Sequence, residues 1–524
     1  MAVRDDGSSP VQPHCCPCGN PGHGAPDGCS RREFLTTGGL ALGLGGLALA
    51  GLEWPALAAA ADPDAASAPA RAPLVVKPIL MYDIPRRRPK TSWRNWGGIQ
   101  NQADADAESA RIRGELEKLR KSADFPLTIL PVAGVRSAAE LARDADVPNA
   151  DAILLYAAGG PQNVIEAAAK TGKHVIIFLR HTSGPVSLWY EIISPRYLHQ
   201  HTDKLATKGI DNSDVVVDAL DEAAWRLRAL CGLKNTLGSR ILAVGGPGGW
   251  ATPKAPDLAR EKFKLDIQTV TYKDLGELIQ AARSDGAAAA SARGRAAAYL
   301  DDGHVKLETD RVFVENAFLL ERIFRGLLAK ANARAITINN CMSTIMPLAE
   351  TTACLTLSLL NDAGYLAFCE SDFVVIPAGI LLANISGKPV FLNDPTYPHQ
   401  GVITVAHCTA PRRMDGKRLE RARIVTHFES DYGAAPKVEM RKGQKVINII
   451  PDFKAECFTG FVGEIAGNPF LPICRSQIEI AYNISDDLIA QNMPGFHWIT
   501  GYGDYSREIG YALKKIPIEW FPMG

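Results

Sequence analysis

Apolar residues along this chain fall into short blocks whose spacing switches between two periods. The runs "LVVKPILMY" (74–82), "LTIL" (127–130), "AILLYAA" (152–158) and "HVIIFLR" (174–180) have the length and branched content of buried strands. Between the first two, Ile112, Leu116 and Leu119 recur at helical spacing inside the charged stretch 103–122. Strand–helix alternation of this kind predicts a parallel sheet with helices packed on its faces. The alternation restarts near Gly238, where "RILAVGGPGGW", "LDIQTV" and "ARAITINN" supply further strands. From about residue 386 the pattern changes to short runs separated by turn residues, "KPVFLND", "GVITVAHC", "RIVTHF", "VEMRKG", "KVINIIPDF" and "RSQIEIAY", which predict a barrel or sandwich. The closing "FHWITGYGDYSREIGYALKKIPIEW" reads as a strand, a glycine turn and a helix.

The expected fold class is therefore α/β: two doubly wound, Rossmann-like α/β domains at 74–236 and 237–372, followed by a β-rich, barrel-like C-terminal domain at 373–524. The loop Gly245–Gly249 lacks both the GxGxxG spacing and a Walker lysine, so it reads as a tight turn at the carboxyl edge of a sheet. The alanine-rich segment 287–299 predicts a surface helix without chemistry.

Composition narrows the partners. Lys plus Arg and Asp plus Glu are both 57, so the formal charge is zero and no broad electrostatic attraction to nucleic acid arises; the expected partner is a small molecule. "SRREFL" (30–35), a Gly/Ala/Leu run from Gly38 to Leu52 and the small residues near Ala60 resemble a twin-arginine export signal over 1–61, followed by a linker over 62–73. No later segment reaches about 18 uninterrupted apolar residues, so no stable membrane span is expected after processing, and the expected location is periplasmic or otherwise extracytoplasmic. Cys15, Cys16, Cys18 and Cys29 precede the arginines without a paired CxxC arrangement. Cys231, Cys341, Cys354, Cys369, Cys408, Cys457 and Cys474 lie mostly in apolar surroundings and read as buried thiols.

Candidate chemistry concentrates in "LAETTACLTLSLLNDAGYLAFCESDFVVIPAGIL". Pro347 predicts a helix start that puts Glu350 in a first turn, where the helix dipole favours an ionised acid. Glu370 and Asp372 follow the strand "YLAF" as an i, i+2 pair that shares a side if the backbone stays extended. Two acids entering an apolar segment carry a desolvation cost that a turn, an arginine, a cation or proton-transfer chemistry has to offset. His407 ends an apolar strand and His497 sits among aromatics. With the acids they would make an oxygen-and-imidazole set suited to a divalent ion.

The stretch from "CMSTIMPLAETT" through "AFCESDFVVIPAGILLANISGKPVFLNDPTYP", together with the closing "FHWITGYGDYSREIGYALKKIPIEW", resembles segments of the L-fucose isomerase and L-arabinose isomerase superfamily. That resemblance implies a ketol-isomerase working through an enediol on a small-molecule sugar. It implies a divalent ion, Mn²⁺ or another such as Mg²⁺, Co²⁺ or Zn²⁺, held by Glu350, Asp372 and His497, with His407 as an additional ligand, and Glu350 and Asp372 as catalytic acid and base. It further implies substrate contacts from Glu370, Trp96, Arg180 and Trp498, and a homo-oligomer, trimer or hexamer. The other class kept open is an exported carbohydrate-binding protein that retains the fold without the chemistry. On this reading Asp394-Pro395 is a turn.

Overall fold

The computed structural model of the protein describes residues 68–524 apart from 95 and 187. The expected export signal, the cysteine cluster before it and most of the expected linker lie outside the described residues. Residues 68–73 have no regular structure but are tied down: Arg71 Nη1 donates to Asn384 O (2.8 Å), and Asn235 Oδ1 accepts from Ala72 N (2.7 Å).

The first sheet is entirely parallel, and β1 (Leu74–Met81) lies second from one edge. β2 (Leu127–Ile129) and β3 (Ala133–Val135) both pair along β1, and β4 (Ala152–Ala157), β5 (His174–Leu179) and β6 (Val215–Val217) follow on its other side in the order 2-1-4-5-6. The charged stretch folds as a helix over Gln102–Ser122. It buries Ile112, Leu116 and Leu119, the residues whose spacing predicted it, and Asn101 and Asp104 close a capping box at its start.

A second parallel sheet contains β7 (Arg240–Val244) and β8 (Asp266–Val270). After them β9 (Val305–Leu307) leaves for a separate small sheet, and β10 (Ala335–Ile338) and β11 (Leu366–Phe368) complete the order 11-10-7-8. The alanine-rich helix Gly286–Leu300 is not the bare surface element its composition predicts. It buries Ala288, Ala292 and Ala296 against the helix Arg311–Ala331, and Arg295 Nη1 reaches the buried Glu321 carboxylate at 2.6 Å.

The C-terminal segment closes on itself. β12 (Phe391–Pro395), β13 (Val402–His407), β14 (Arg421–Val425), β15 (Ala435–Glu439), β16 (Lys445–Pro451), β17 (Cys457–Gly467), β18 (Ser476–Ala481), β19 (Trp498–Tyr502) and β20 (Glu519–Pro522) follow in the chain. Six of these form a closed antiparallel barrel in the order 16-19-12-13-18-17, with β17 pairing back to β16. β20 adds to β17 in parallel, and β14 bridges β15 and β9 in the small sheet. Closure leaves no free edge among the six strands. β17 is the longest strand among the described residues, yet glycines at 460, 463 and 467 mask its pattern. Gly460 and Gly463 are required by packing: a Cβ on Gly460 would lie 2.3 Å from Asn448 O, and one on Gly463 would lie 2.6 Å from Ala481 O.

Among the described residues no single helix is long and apolar enough to cross a membrane. The helix expected to run from Pro347 to Gly364 is broken. The helical segment Cys341–Ala349 and the helix Ala353–Asp362 meet at 90°, with Glu350 at the corner in the left-handed region (φ 50°). At the far end of the second helix, Asp362 Oδ1 accepts from Arg413 N (2.7 Å), and burial pushes the Asp362 carboxyl up to about 7 against the pull of Arg412 and Arg413. A carboxyl whose folded pKa lies above its unfolded one contributes stability at low pH that is lost as pH rises through the folded value. Asp362→Asn keeps the acceptor and removes the titration. The substitution is expected to become more favourable by about 2–3 kcal/mol between pH ~5 and pH ~8, read by urea unfolding at both. An effect identical at the two pH values contradicts this assignment.

Candidate metal centre

The centre begins at the end of β11, where the chain does not stay extended. Glu370 (φ 63°) and Ser371 (φ 46°) both enter the left-handed region, so the expected shared side of an i, i+2 pair is lost. The turn is held from outside by the glycine-rich loop after β7: Gly248 N donates to Ser371 O (3.2 Å), and Phe373 N donates to Gly248 O (3.1 Å). The loop is thus a docking strap for the acidic turn, and it delivers Trp250, whose indole Nε1–H donates to Glu370 Oε2 at 3.0 Å.

Asp372 is 2 % exposed and its two oxygens are committed. Oδ1 accepts from Val374 N (3.0 Å), while the Asp372 carbonyl accepts from Val375 and Ile376 as the apolar helix Ile376–Ser386 begins. Oδ2 accepts from His497 Nδ1 at 2.8 Å. The desolvation of this acid is therefore offset by a helix start and an imidazole. With Nδ1 bound to Asp372, His497 presents Nε2 3.4 Å from Glu370 Oε2 and 3.3 Å from Asp394 Oδ1. A carboxylate that fixes the far nitrogen of a histidine is the usual outer support of a metal-binding imidazole.

His407, at the end of β13, arrives from the other side. A hydrogen bond links its Nδ1 to Thr409 Oγ1 (3.1 Å), and its Nε2 lies 3.7 Å from Glu370 Oε1. The ligand atoms of Asp394, His407 and His497 all fall within 4.8 Å of one another, and those of Cys369, Glu370 and His407 do the same. Both Nε2 atoms are buried with no well-aligned hydrogen bond, facing carboxylate oxygens at 3.3–3.7 Å. Buried imidazole nitrogens left in that state are costly unless something else completes them. Phe496 stacks on Trp250 (4.2 Å between centroids) and meets His497 edge-on (4.7 Å), walling the centre with aromatic carbon.

The electrostatics point the same way. Burial disfavours the His497 imidazolium, but Asp372, Glu370 and Asp394 outweigh it and push its pKa up to about 10. Burial also opposes ionisation of Glu370, yet His407 and His497 hold that carboxyl well below the usual range. A proton shared among clustered acids and imidazoles is what a divalent cation would replace. The donor set of two carboxylates and two imidazoles fits Mn²⁺, Zn²⁺ or a similar ion.

The positions expected from sequence are distributed as follows. His407 and His497 meet, and Glu370 joins them directly. Asp372 touches the centre through His497. Glu350 is placed elsewhere: it is exposed, its Oε1 accepts from Arg283 Nη1 (2.8 Å), and its carbonyl accepts from Asn316. Arg180 is buried in the first sheet between Glu108 (2.6 Å) and Glu115 (2.9 Å), and Trp96 is 87 % exposed beside Arg94. Trp498 is fully buried and packs edge-on against Phe461 inside the barrel, because alternation along β19 turns it away from its neighbour His497. Two residues escaped the sequence reading. Asp394 is the fourth residue of β12, paired opposite Ala406, rather than a turn residue. Trp250 had only the strand–glycine-loop pattern before it as a signal. Trp250→Phe keeps the stack on Phe496 and removes the donor to Glu370, so a fall in cation affinity on the order of 10-fold is expected by titration calorimetry.

No protein-family model matches this chain, and no curated protein sequence matches it.

Proposed function

We propose that the protein is a divalent-metal-dependent aldose–ketose isomerase, with the cation held by Glu370, Asp394, His407 and His497. The observation that carries the reading is the convergence of these four side chains around two buried, hydrogen-bond-poor Nε2 atoms. When bound, a divalent ion supplies charge stabilisation to neighbouring oxygens of a polyol carbonyl compound. The remaining work falls to the chain. Glu370, its side chain 26 % exposed, is the carboxylate positioned to carry a proton between adjacent carbons, as formation of an enediol requires. Trp250 orients that carboxylate, Asp372 orients His497, and the Trp250–Phe496 stack offers an apolar wall to a sugar face.

The same reading takes the two parallel sheets as doubly wound, Rossmann-like domains, the chain as a homo-oligomer, and its place of work as outside the cytoplasm. Incubation with a panel of aldoses and ketoses in deuterated water tests it. Exchange at C2 that depends on added cation and disappears in Glu370→Gln is the expected result, and a metal-loaded protein that exchanges no member of the panel defeats it. One observation favours the second reading, a sugar-binding protein without chemistry: Glu350, the acid expected to share the proton transfer, is paired with Arg283 at the surface. Cation-independent sugar binding without exchange is the result expected from that alternative.

A further inference from the structure

A second cluster of ligand-type side chains lies beside β13, on the face opposite His407. Ala406 and Cys408, two residues apart, pack there with Cys354, Ala435 and Cys474. The ligand atoms of Cys354, Cys408 and His427 lie within 4.8 Å of one another, all three residues buried. Cys474 packs beside Cys408 in the same buried cluster, outside that 4.8 Å group. None of the three cysteines is in a disulfide.

The four residues come from four separate places: the start of the helix Ala353–Asp362, the end of β13, the segment after β14 and the segment before β18. Two sulfurs and an imidazole within 4.8 Å of one another, with a third sulfur packed beside them, are more than apolar packing needs, since any small apolar residue would fill the space. Two features suit thiolates in particular. Cys354 is the second residue of a ten-residue helix, where the dipole favours negative charge. Cys408 Sγ accepts from Arg475 N at 3.4 Å, the backbone-amide-to-sulfur bond that supports a ligating thiolate. Glu429 N donates to His427 Nδ1 (3.3 Å), a bond that gives way when the ring binds a metal, because a ring nitrogen accepts only while it carries neither a proton nor the ion.

We propose that Cys354, Cys408, Cys474 and His427 form a closed structural zinc site, distinct from the carboxylate–imidazole centre. Soft sulfur donors with one imidazole match four-coordinate Zn²⁺, and filling all four positions with protein leaves none for substrate. Binding releases the thiol protons to solvent and involves no redox step. The site pins the end of β13 one residue beyond His407, so it holds one ligand of the first centre in register.

The full chain loaded with Co²⁺ in place of its metal tests this. Thiolate-to-cobalt charge-transfer absorption in the near ultraviolet is expected, because carboxylates and imidazoles do not produce it. It should disappear in Cys408→Ser and in His427→Gln, each checked for folding by circular dichroism. It should persist in Cys369→Ser, which alters the sulfur nearest the first centre, and in Glu370→Gln. Absence of the band in the wild-type chain overturns the proposal, whether or not the variants fold. So does a band that survives Cys408→Ser, or a mass lighter by two hydrogens showing Cys354 and Cys408 joined as a disulfide.

Discussion

Glu370→Gln is expected to lower the affinity of the protein for Mn²⁺ on the order of 100-fold or more, with the metal lost on dialysis. The side chain contacts both imidazoles, at 3.4 Å from His497 Nε2 and 3.7 Å from His407 Nε2, and an amide offers the cation no charge. His497→Ala should do the same. Asp372→Asn removes the charge behind His497 but no direct ligand, so a smaller loss of about 10- to 100-fold is expected. Glu350→Gln should leave cation binding unchanged, because Glu350 is engaged with Arg283 at the surface. The ordering is read from metal content after dialysis and from calorimetric titration of metal-free protein. A reversed ordering, with Glu350→Gln losing the ion and Glu370→Gln keeping it, would restore the ligand set implied by the isomerase resemblance and remove Glu370 from the centre.

Removing the cation is expected to destabilise the fold by an amount that grows with pH. In metal-free protein the His497 imidazolium balances Glu370, Asp372 and Asp394, and its pKa is raised to about 10 from an unfolded value near 6.5. A histidine raised in this way contributes stability that is complete below about pH 6.5 and is lost as pH climbs toward 10. The cation replaces that proton, so the metal-bound protein escapes the loss. Urea unfolding with Mn²⁺ and with chelator should therefore diverge between pH ~6 and pH ~9, by a margin on the order of 1–3 kcal/mol beyond the mass-action contribution of the ligand. Parallel curves at the two pH values would mean that no titrating group competes with the cation.

Both predictions depend on a rearrangement of roles within residues that were individually visible in the sequence. Glu370, Asp372, His407 and His497 stand out because acids and imidazoles at the ends of apolar strands demand an explanation. Their division of labour does not. Extended backbone at 370–372 would aim both acids the same way, whereas two successive left-handed residues send Glu370 to Nε2 and Asp372 to Nδ1 of one ring. Glu350 illustrates the converse. A proline and a later glycine frame a plausible helix with an acid in its first turn, but the chain turns through 90° at that acid and sends it outward to Arg283.

Period and composition alone determined that the chain builds strand–helix units first and a turn-rich β segment afterwards, since buried strands and amphipathic helices write their contacts into neighbouring residues. Local sequence also located most strands, but not the helix Ile376–Ser386, which it showed only as an apolar segment. Tertiary structure decided what depends on distant partners. It chose barrel closure through β17, whose glycines are small because other strands approach closely. It brought Asp394, Trp250 and His497 to one point, and grouped Cys354, Cys408, Cys474 and His427 at another. Those groupings arise from β13 pairing between β12 and β18 and from a loop after β7 docking on the turn after β11. No local pattern encodes them, because each partner's own neighbours in the chain are satisfied by strands, turns and helices that would form equally well without the other.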